Sequence, residues 1–220
     1  RALLASGVAF HPEVIACRLL TQEGRCVGAL AFAMASGEML VYRAGAVVLA
    51  TGGLGGLYQI STNPRTLTGD GYALAWESGA ELVDMEMVQF LPLAFPYPDS
   101  RRGLNIGICS LFGLGVRLVN GLGERFMPRY DAERGELSTR DVVSRAIFAE
   151  VQQGRGTTGG AVWLDARDHD EAVRARFATY HPHIHSMLAE VFGERAARWE
   201  EPFEVITSQH FCMGGVVVDE

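Results

Sequence analysis

The stretch AGAVVLATGGLGG, residues 44–56, constrains the fold more than any other part of the chain. It is apolar without alternation and ends in a cluster of glycines, a pattern typical of a strand buried on both faces of a sheet. Open α/β sheets bind ligands at the carboxyl ends of such strands, where glycines let a ligand approach the backbone. The stretch therefore predicts a buried strand leading to a ligand site, although a glycine-rich turn without a ligand is the plainer interpretation.

The segment STNPRTLTGDGYALA, residues 61–75, follows directly and joins a loop of turn-forming residues to an apolar helical pattern. Asp70 stands where the helix is predicted to begin. It is either the N-cap, accepting hydrogen bonds from free backbone N–H groups, or an acceptor for the hydroxyls of a cofactor. The residues alone leave both interpretations open.

Short apolar runs at 13–21, 25–34 and 38–44 are separated by turn-forming residues and predict an antiparallel β-meander. The run ELVDMEMVQF, residues 81–90, predicts one further strand. The meander, the buried strand and the helix together indicate an α/β domain.

The sequence pattern changes in the second half of the chain, which begins with a segment rich in proline and polar residues. A loop or crossover is predicted from Leu91, then a hairpin around NGLG, a strand at AVWLDA, and one or two helices interrupted before Pro182. A helix ending at Gly154 is predicted from its apolar stripe. The stripe consists of Val142, Val143, Ala146, Ile147 and Val151.

Composition excludes several classes of partner. The net charge of −7, without a basic cluster, argues against nucleic acid. The apolar runs are far shorter than the ~20 residues that span a bilayer, and no signal-peptide pattern opens the chain. The four cysteines lack disulfide or metal-site spacing, which favours a reducing compartment and partly buried packing roles. They are Cys17, Cys26, Cys109 and Cys212.

Three blocks of sequence, at 47–90, 123–147 and 208–220, resemble the flavoprotein family of succinate dehydrogenase, fumarate reductase and L-aspartate oxidase. They carry, in the family's order, ATGG and TGDG, then GERFM with STRDVVSRAI, then SQHFCMGG. The resemblance covers most of the chain. It implies an FAD-dependent oxidoreductase, of which this chain is a central fragment without the amino-terminal FAD fingerprint and the carboxyl-terminal part.

The implied architecture is α/β and α+β. Residues 1–92 would be the last part of a Rossmann-like FAD-binding domain, residues 93–209 an α+β capping domain, and residues 210–220 a return segment to the FAD domain. We expect the fragment alone to be inactive and not to retain FAD.

The resemblance also assigns site residues. Asp70 matches an aspartate that contacts FAD, and Gly52 and Gly53 match the turn that approaches the cofactor. Arg140 matches the proton-transferring arginine, and His210 matches a histidine that binds a substrate carboxylate. The residues alone favour a paired surface arginine for Arg140 and, for His210, a core histidine whose hydrogen bonds are satisfied.

Arginine is an unusual acid, because its pKa normally exceeds ~12. The pattern Ser138-x-x-Asp141 predicts a capping box that places Arg140 in the first helical turn. There the positive end of the helix dipole disfavours a charged guanidinium.

The chain departs from the family pattern at a second carboxylate anchor. Leu91 and Leu93 replace a histidine and a threonine of Q-F-H-P-T, and SLFGLGVRLVN, residues 110–120, replaces a substrate-binding segment. Leucine neither donates a hydrogen bond nor carries charge. Either the substrate is less polar at that end than succinate, or Arg101, Arg102 or Arg117 supplies the charge.

The histidines of HPHIHS invite a metal-site interpretation, because His181 and His185 would share a helix face. No carboxylate or cysteine pattern completes the set, and the resemblance implies no metal.

The sequence thus predicts interconversion of succinate and fumarate, or of a related dicarboxylate. L-Aspartate oxidase or another amino-acid or carbonyl flavin oxidoreductase is the first alternative, and a non-catalytic flavoprotein domain used in assembly or electron transfer is the second. The implied partner is an iron-sulfur or other electron-transfer subunit. The implied location is the cytoplasm, with contact to the membrane's cytoplasmic face through partner subunits rather than by insertion.

Overall fold

The computed structural model describes residues 7–106 and 110–219, together forming two compact units. The first unit takes its residues from 1–54, 67–86 and 214–220, and the second from 55–66 and 87–213. The mixed α/β architecture with antiparallel sheets confirms the predicted fold class. The family domain boundaries at 92/93 and 209/210 stay a prediction.

The first unit opens with the predicted meander. Strands β1 (Val14–Gln22), β2 (Arg25–Ala33) and β3 (Met39–Arg43) form an antiparallel sheet in that order. Gln22 pairs with Arg25 across a two-residue turn in which Glu23 and Gly24 have φ of 51° and 75°. Positive φ at both turn positions matches the right-handed twist of the flanking strands, and glycine adopts it without strain.

The predicted buried strand at 46–50 is wrong. Residues 46–53 belong to no strand, and Val48 is 87% exposed. An apolar run becomes a buried strand only where neighbouring strands hydrogen-bond to both of its edges. Within residues 7–106 and 110–219, no strand pairs with this segment.

The first unit is completed by a helix and a small sheet. Helix α1 (Asp70–Glu77) begins after Gly69, whose φ is 83°. Strands β4 (Leu82–Val83) and β9 (Gly215–Val216) pair antiparallel.

The second unit is built on a four-stranded antiparallel sheet in the order β5-β8-β7-β6. The strands are β5 (Val88–Ala94), β6 (Arg117–Val119), β7 (Val162–Asp165) and β8 (Phe203–Cys212). Its helices are α2 (Ser110–Gly113), α3 (Met127–Tyr130), α4 (Arg140–Gln152), α5 (Glu171–Tyr180), α6 (Pro182–Phe192) and α7 (Glu194–Ala197), with 3-10 turns at Gly55–Leu57 and Gly135–Leu137.

Most of the predicted elements in this half are confirmed. The hairpin, the strand at AVWLDA and the helix break before Pro182 are all present. Two predictions need correction: ELVDMEMVQF divides into β4 and β5 instead of forming one strand, and β5 continues through Ala94 instead of ending at Leu91.

Helix α4 packs its predicted stripe into the core of the second unit. Val143, Ala146 and Ile147 are at most 2% exposed and contact buried aromatic residues such as Phe95 and Phe126 in one cluster. Burying a side chain of this size stabilises the fold by about 1.5–3 kcal/mol.

The cysteine prediction holds in part. Cys26 and Cys212 are half-buried, as expected, but Cys17 is exposed on β1. Cys109 lies outside the described residues.

Helix α4 also carries a fully buried carboxylate, that of Glu150. Glu150 accepts hydrogen bonds from Arg155 at 2.8 Å, from Arg129 at 3.1 and 3.2 Å, from the Tyr130 hydroxyl at 2.8 Å and from Asn120 Nδ2 at 2.9 Å. The hydrogen bonds from Arg155 contribute most to lowering the pKa of Glu150 to about 2. Every acceptor site of this carboxylate is therefore used.

We expect Glu150→Gln to lower the free energy of unfolding by about 3 kcal/mol at pH 7, because arginine donors lose their buried counter-charge. The folded-state pKa lies below the ordinary value of 4.5, so this stability is present above pH 4.5 and is lost as pH falls toward 2. Denaturant unfolding at pH 7 and pH 3 measures both effects.

Glu124→Gln is the matched control. Glu124 also accepts from Asn120 and Arg129, but it is exposed, so its loss should lower the free energy of unfolding much less than the loss of Glu150 does. Equal unfolding midpoints for the two variants would contradict this account of Glu150.

Candidate functional site

The predicted cofactor residues lie at one place in the first unit. The turn at Gly52 and Gly53 runs beside the start of helix α1, since a Cβ on Gly52 would lie 3.0 Å from Leu67. A Cβ on Gly71 would collide with Oγ1 of Thr51, so the close approach of these two segments requires glycine. The structure thus brings the glycine turn and the TGDG segment together.

Asp70 is the first residue of α1 and does not cap it. Gly69, which has no side chain, occupies the N-cap position. The exposed carboxylate of Asp70 instead accepts a hydrogen bond from Thr68 Oγ1 at 2.8 Å. The capping interpretation is therefore wrong, and most acceptor sites of this carboxylate remain available to a ligand.

The second unit has a cleft of about 990 Å³ between the start of α4 and strands β5 and β8. Its lining combines apolar side chains with two arginines. The lining residues are Val88, Gln89, Phe90, Ser138, Thr139, Arg140, Asp141, Ser144, Arg145, Phe148, Thr207 and Met213.

The two arginines differ in how their charge is balanced. Arg145 donates to Asp141 at 2.6 Å in an i,i+4 pair. Arg140 makes one long hydrogen bond, 3.5 Å to the neutral Oε1 of Gln89, and has no carboxylate partner within the part of the chain that the structure describes. Arg140 is thus the cation in this cleft that can receive an anionic ligand.

The start of α4 places Arg140 in the first turn, as predicted, but without the predicted capping box. Ser138 donates its hydroxyl hydrogen to Asp131 at 2.7 Å, and Thr139 is the N-cap. The Thr139 hydroxyl donates to the carboxylate of Asp141. These bonds fix the loop before the helix.

His210 lies at an irregularity of the β5–β8 pairing. Gln89 pairs with Phe211 and Phe90 with Gln209, so His210 has no partner residue in β5. Such a bulge turns a side chain away from the regular alternation of the strand. Burial lowers the pKa of His210, and the charge of Arg140 lowers it further. The structure therefore brings Arg140 and His210 close enough to interact and favours the neutral imidazole.

The sequence analysis missed the residues that hold His210. Thr62 Oγ1 lies 2.8 Å from Nδ1 of His210, and Asn63 Nδ2 donates to the His210 carbonyl at 2.7 Å. Both residues belong to STNP, which looked like a turn because of its composition. A Thr-Asn pair in a loop carries no signal that it contacts a strand almost 150 positions later.

The two leucines that replace polar residues of the family pattern lie in the core of the second unit. Leu91 is 4% exposed and packs with Ala94, Ala161 and Ile206. Leu93 is 1% exposed in the main core of the second unit.

Two of the candidate replacement cations are already paired. Arg101 donates to both oxygens of Glu190 at 2.8 and 2.7 Å, and Arg117 is paired with Asp168. Their charges are largely neutralised.

The histidines of HPHIHS lie at the junction of α5 and α6 and on α6. Within residues 7–106 and 110–219, no three histidine, cysteine, aspartate or glutamate side chains are grouped as a metal site requires. In the same part of the chain, no helix is long and apolar enough to cross a bilayer.

Comparison with protein families gives a match to the FAD binding domain over residues 1–220. The chain belongs to this family. Members of this family include fumarate reductases, succinate dehydrogenase flavoprotein subunits and L-aspartate oxidases. All of these are FAD-dependent oxidoreductases.

Individual relatives agree with the family assignment. A CoM/CoB fumarate reductase chain of Methanothermobacter marburgensis is 42% identical over 209 residues, covering 94% of this chain and 37% of the relative. L-Aspartate oxidase of Nostoc sp. is 40% identical over 200 residues, covering 90% of this chain and 32% of the relative. A solved quinol fumarate reductase of E. coli superposes with a TM-score of 0.76 at 31% identity, covering 92% of this chain and 35% of that chain. The chain thus spans about a third of the length of the relatives it matches.

The first unit fits the flavin cofactor of the FAD binding domain family. FAD carries hydroxyl groups that donate hydrogen bonds, and Asp70 offers an exposed carboxylate with acceptor sites left at a helix start. The adjacent turn presents backbone without side chains at Gly52 and Gly53.

We expect Arg140→Gln to raise the pKa of His210, because the substitution removes a positive charge that opposes protonation of the imidazole. An NMR titration of the His210 ring measures this shift. Arg145→Gln is the control, since the charge of Arg145 is balanced by Asp141. A His210 pKa that is unchanged in Arg140→Gln, or that rises equally in both variants, would contradict the proximity of Arg140 and His210.

Proposed function

We propose that this chain is the central part of an FAD-dependent oxidoreductase that interconverts succinate and fumarate or a related carboxylate. The observation that supports the proposal is that the guanidinium of Arg140, which lines the cleft of the second unit and has no carboxylate partner among the described residues, lies close enough to His210 to lower its pKa. One group can move a proton and the other can bind a carboxylate.

Bound FAD supplies hydride exchange with one carbon of the substrate double bond. Arg140 transfers the proton at the neighbouring carbon: in the reducing direction its guanidinium donates the proton, and in the oxidising direction the neutral guanidine accepts it. Arg140 lies in the first turn of α4. Thirteen residues of helix and a packed apolar stripe hold that turn in place.

His210 anchors a substrate carboxylate through a ring N–H. A hydrogen bond from a neutral donor to a carboxylate contributes about 1.5–3 kcal/mol. The β-bulge fixes the direction of the ring.

The polar anchors that the family pattern provides for the second end of the substrate are absent at positions 91 and 93. Leu91 and Leu93 are buried and apolar, and Arg101 and Arg117 are engaged by carboxylates. Phe90, Phe148 and Met213 add apolar surface to the cleft. These observations favour a substrate with one carboxylate and a less polar second end over a symmetrical dicarboxylate.

L-Aspartate oxidase activity is the second candidate, because the 40% identical relative from Nostoc sp. carries that name. In either case the reduced flavin must pass its electrons on. We propose that the partner is an iron-sulfur or other electron-transfer subunit, which would also hold the protein at the cytoplasmic face of a membrane.

The first test uses the intact parent protein with bound FAD under anaerobic conditions. We expect fumarate, or crotonate with a methyl group in place of the second carboxylate, to reoxidise the reduced flavin. A lower KM for crotonate than for fumarate would support the less polar second end. Bleaching of the oxidised flavin by L-aspartate alone would replace the proposal with aspartate oxidation. No response to any of these compounds would favour a domain used in assembly or electron transfer.

We expect Arg140→Ala to lower kcat for the active substrate by about 10²–10⁴-fold, because it removes the proton-transferring group. Arg145→Ala changes the other arginine that lines the cleft, whose charge is already paired, and its kcat should stay within about threefold of the wild type. Stopped-flow measurement of flavin reoxidation separates this step from product release. Wild-type rates in Arg140→Ala would overturn the assignment.

The sequence suggests Leu91→His as a way to restore the carboxylate-binding histidine of the family pattern. This substitution is nevertheless a poor test. The side chain at this position is surrounded by Ala94, Ala161 and Ile206, so a histidine there would bury a polar ring. The loss of stability would obscure any gain of activity, and the substrate series above answers the same question.

A further inference from the structure

The loop at 60–63 is bound tightly to the end of β8. Gln209 N–H donates to the carbonyl of Ile60 at 3.0 Å, and Thr62 N–H donates to the carbonyl of Gln209 at 2.9 Å. These two backbone bonds place the Thr62 hydroxyl 2.8 Å from Nδ1 of His210. A hydroxyl and a neutral imidazole nitrogen can each donate or accept, so the neighbouring bonds decide the direction.

The orientation of the Asn63 amide is fixed by a carbonyl. Its Nδ2 lies 2.7 Å from the oxygen of His210, which can only accept, so this end of the amide is the donor. The same nitrogen lies 3.2 Å from Thr62 Oγ1 and 3.1 Å from Gln209 Oε1. The Asn63 nitrogen therefore does not accept the Thr62 hydrogen, and its second hydrogen is shared between the Gln209 and Thr62 oxygens.

The Thr62 hydrogen has two available acceptors. One is Nδ1 of His210 at 2.8 Å, and the other is the Gln209 carbonyl at 3.2 Å, which already accepts the backbone N–H of Thr62. The shorter distance and the unshared acceptor favour donation to Nδ1. A ring nitrogen that accepts carries no proton, so the proton of the neutral ring lies on Nε2.

We propose that Thr62 is a positioning residue that holds neutral His210 in the tautomer with its proton on Nε2. Within residues 7–106 and 110–219, Nε2 has no hydrogen-bond partner, so its N–H is available to a ligand. In the opposite tautomer Nε2 would be a bare acceptor and would repel a carboxylate. The benefit to substrate binding rests on the proposed role of His210, whereas the tautomer itself does not.

The test measures the tautomer directly. The intact protein is labelled with ¹⁵N-histidine, and long-range ¹H–¹⁵N correlations report which ring nitrogen carries the proton, with His210→Asn identifying the signals. We expect the Nε2–H form in the wild type and in Thr62→Ser, which keeps the hydroxyl. Thr62→Val removes the hydroxyl at nearly constant volume and should give a measurable fraction of the Nδ1–H form.

Ser61→Ala is the matched control in the same loop. Ser61 donates to Gln209 Oε1 at 2.7 Å and accepts from Asn63 N–H at 3.0 Å, but it does not contact His210. The His210 ring of the Ser61→Ala variant should have the same tautomer as in the wild type. A wild-type ring protonated on Nδ1, or a Thr62→Val ring that stays entirely in the Nε2–H form, would overturn the proposal, and the wild-type result does not depend on any variant folding.

Steady-state kinetics then separate the positioning role of Thr62 from the anchoring role of His210. If His210 anchors a carboxylate, Thr62→Val should raise KM by the factor by which the Nε2–H population falls, with a smaller change in kcat, and Thr62→Ser should restore it. A shifted tautomer with an unchanged KM would leave the positioning role of Thr62 intact and refute the anchoring role of His210.

Discussion

The irregular pairing of β5 with β8 is the constraint on which the candidate active site depends. Strand β8 pairs with β5 on one edge and β7 on the other, so its backbone is held on both sides. The pairing with β5 shifts at two places, between Leu91 and Ala94 and, near the end of β8, between Gln89 and Phe90. His210 is the residue left unpaired there, and its backbone carbonyl is therefore free to bind Asn63. A regular ladder would have occupied that carbonyl and directed the imidazole along the usual alternation.

Helix α4 shows how the second unit distributes charge. Near its carboxyl end, Glu150 is fully buried and engaged by Arg129 and Arg155, so the helix is anchored by a carboxylate that stays ionised. At its amino end, Arg140 makes one hydrogen bond among the described residues, to the neutral amide of Gln89. The same helix thus carries one charge that is balanced by ion pairs and one that has no carboxylate partner in the described part of the chain. A guanidinium without a carboxylate is an open site for an anion, which links the packing of the helix to the proposed chemistry.

Sequence patterns predicted well where the physics is local. The apolar stripe of α4 has helical periodicity, and the residues Gln22 to Arg25 have the turn chemistry of a hairpin, so both elements were expected and are present. Predictions failed where the outcome depends on distant residues. Residues 46–53 look like a buried strand, but a strand needs partners, and the run itself does not specify them. Asp70 stands where an N-cap is expected, but Gly69 occupies the N-cap position. The Thr68 hydroxyl donates a hydrogen bond to the Asp70 carboxylate.

The sequence alone determined the family resemblance, the order of the elements and the positions of Arg140 and His210 along the chain, because motifs and periodicities are properties of short segments. Only the tertiary structure decided which arginine is unpaired, where Leu91 points, and that Thr62 and Asn63 hold the His210 ring. These facts depend on distances between residues up to 148 positions apart. A hydrogen bond of 2.8 Å requires that the whole chain between its partners has folded, so no local pattern could contain it.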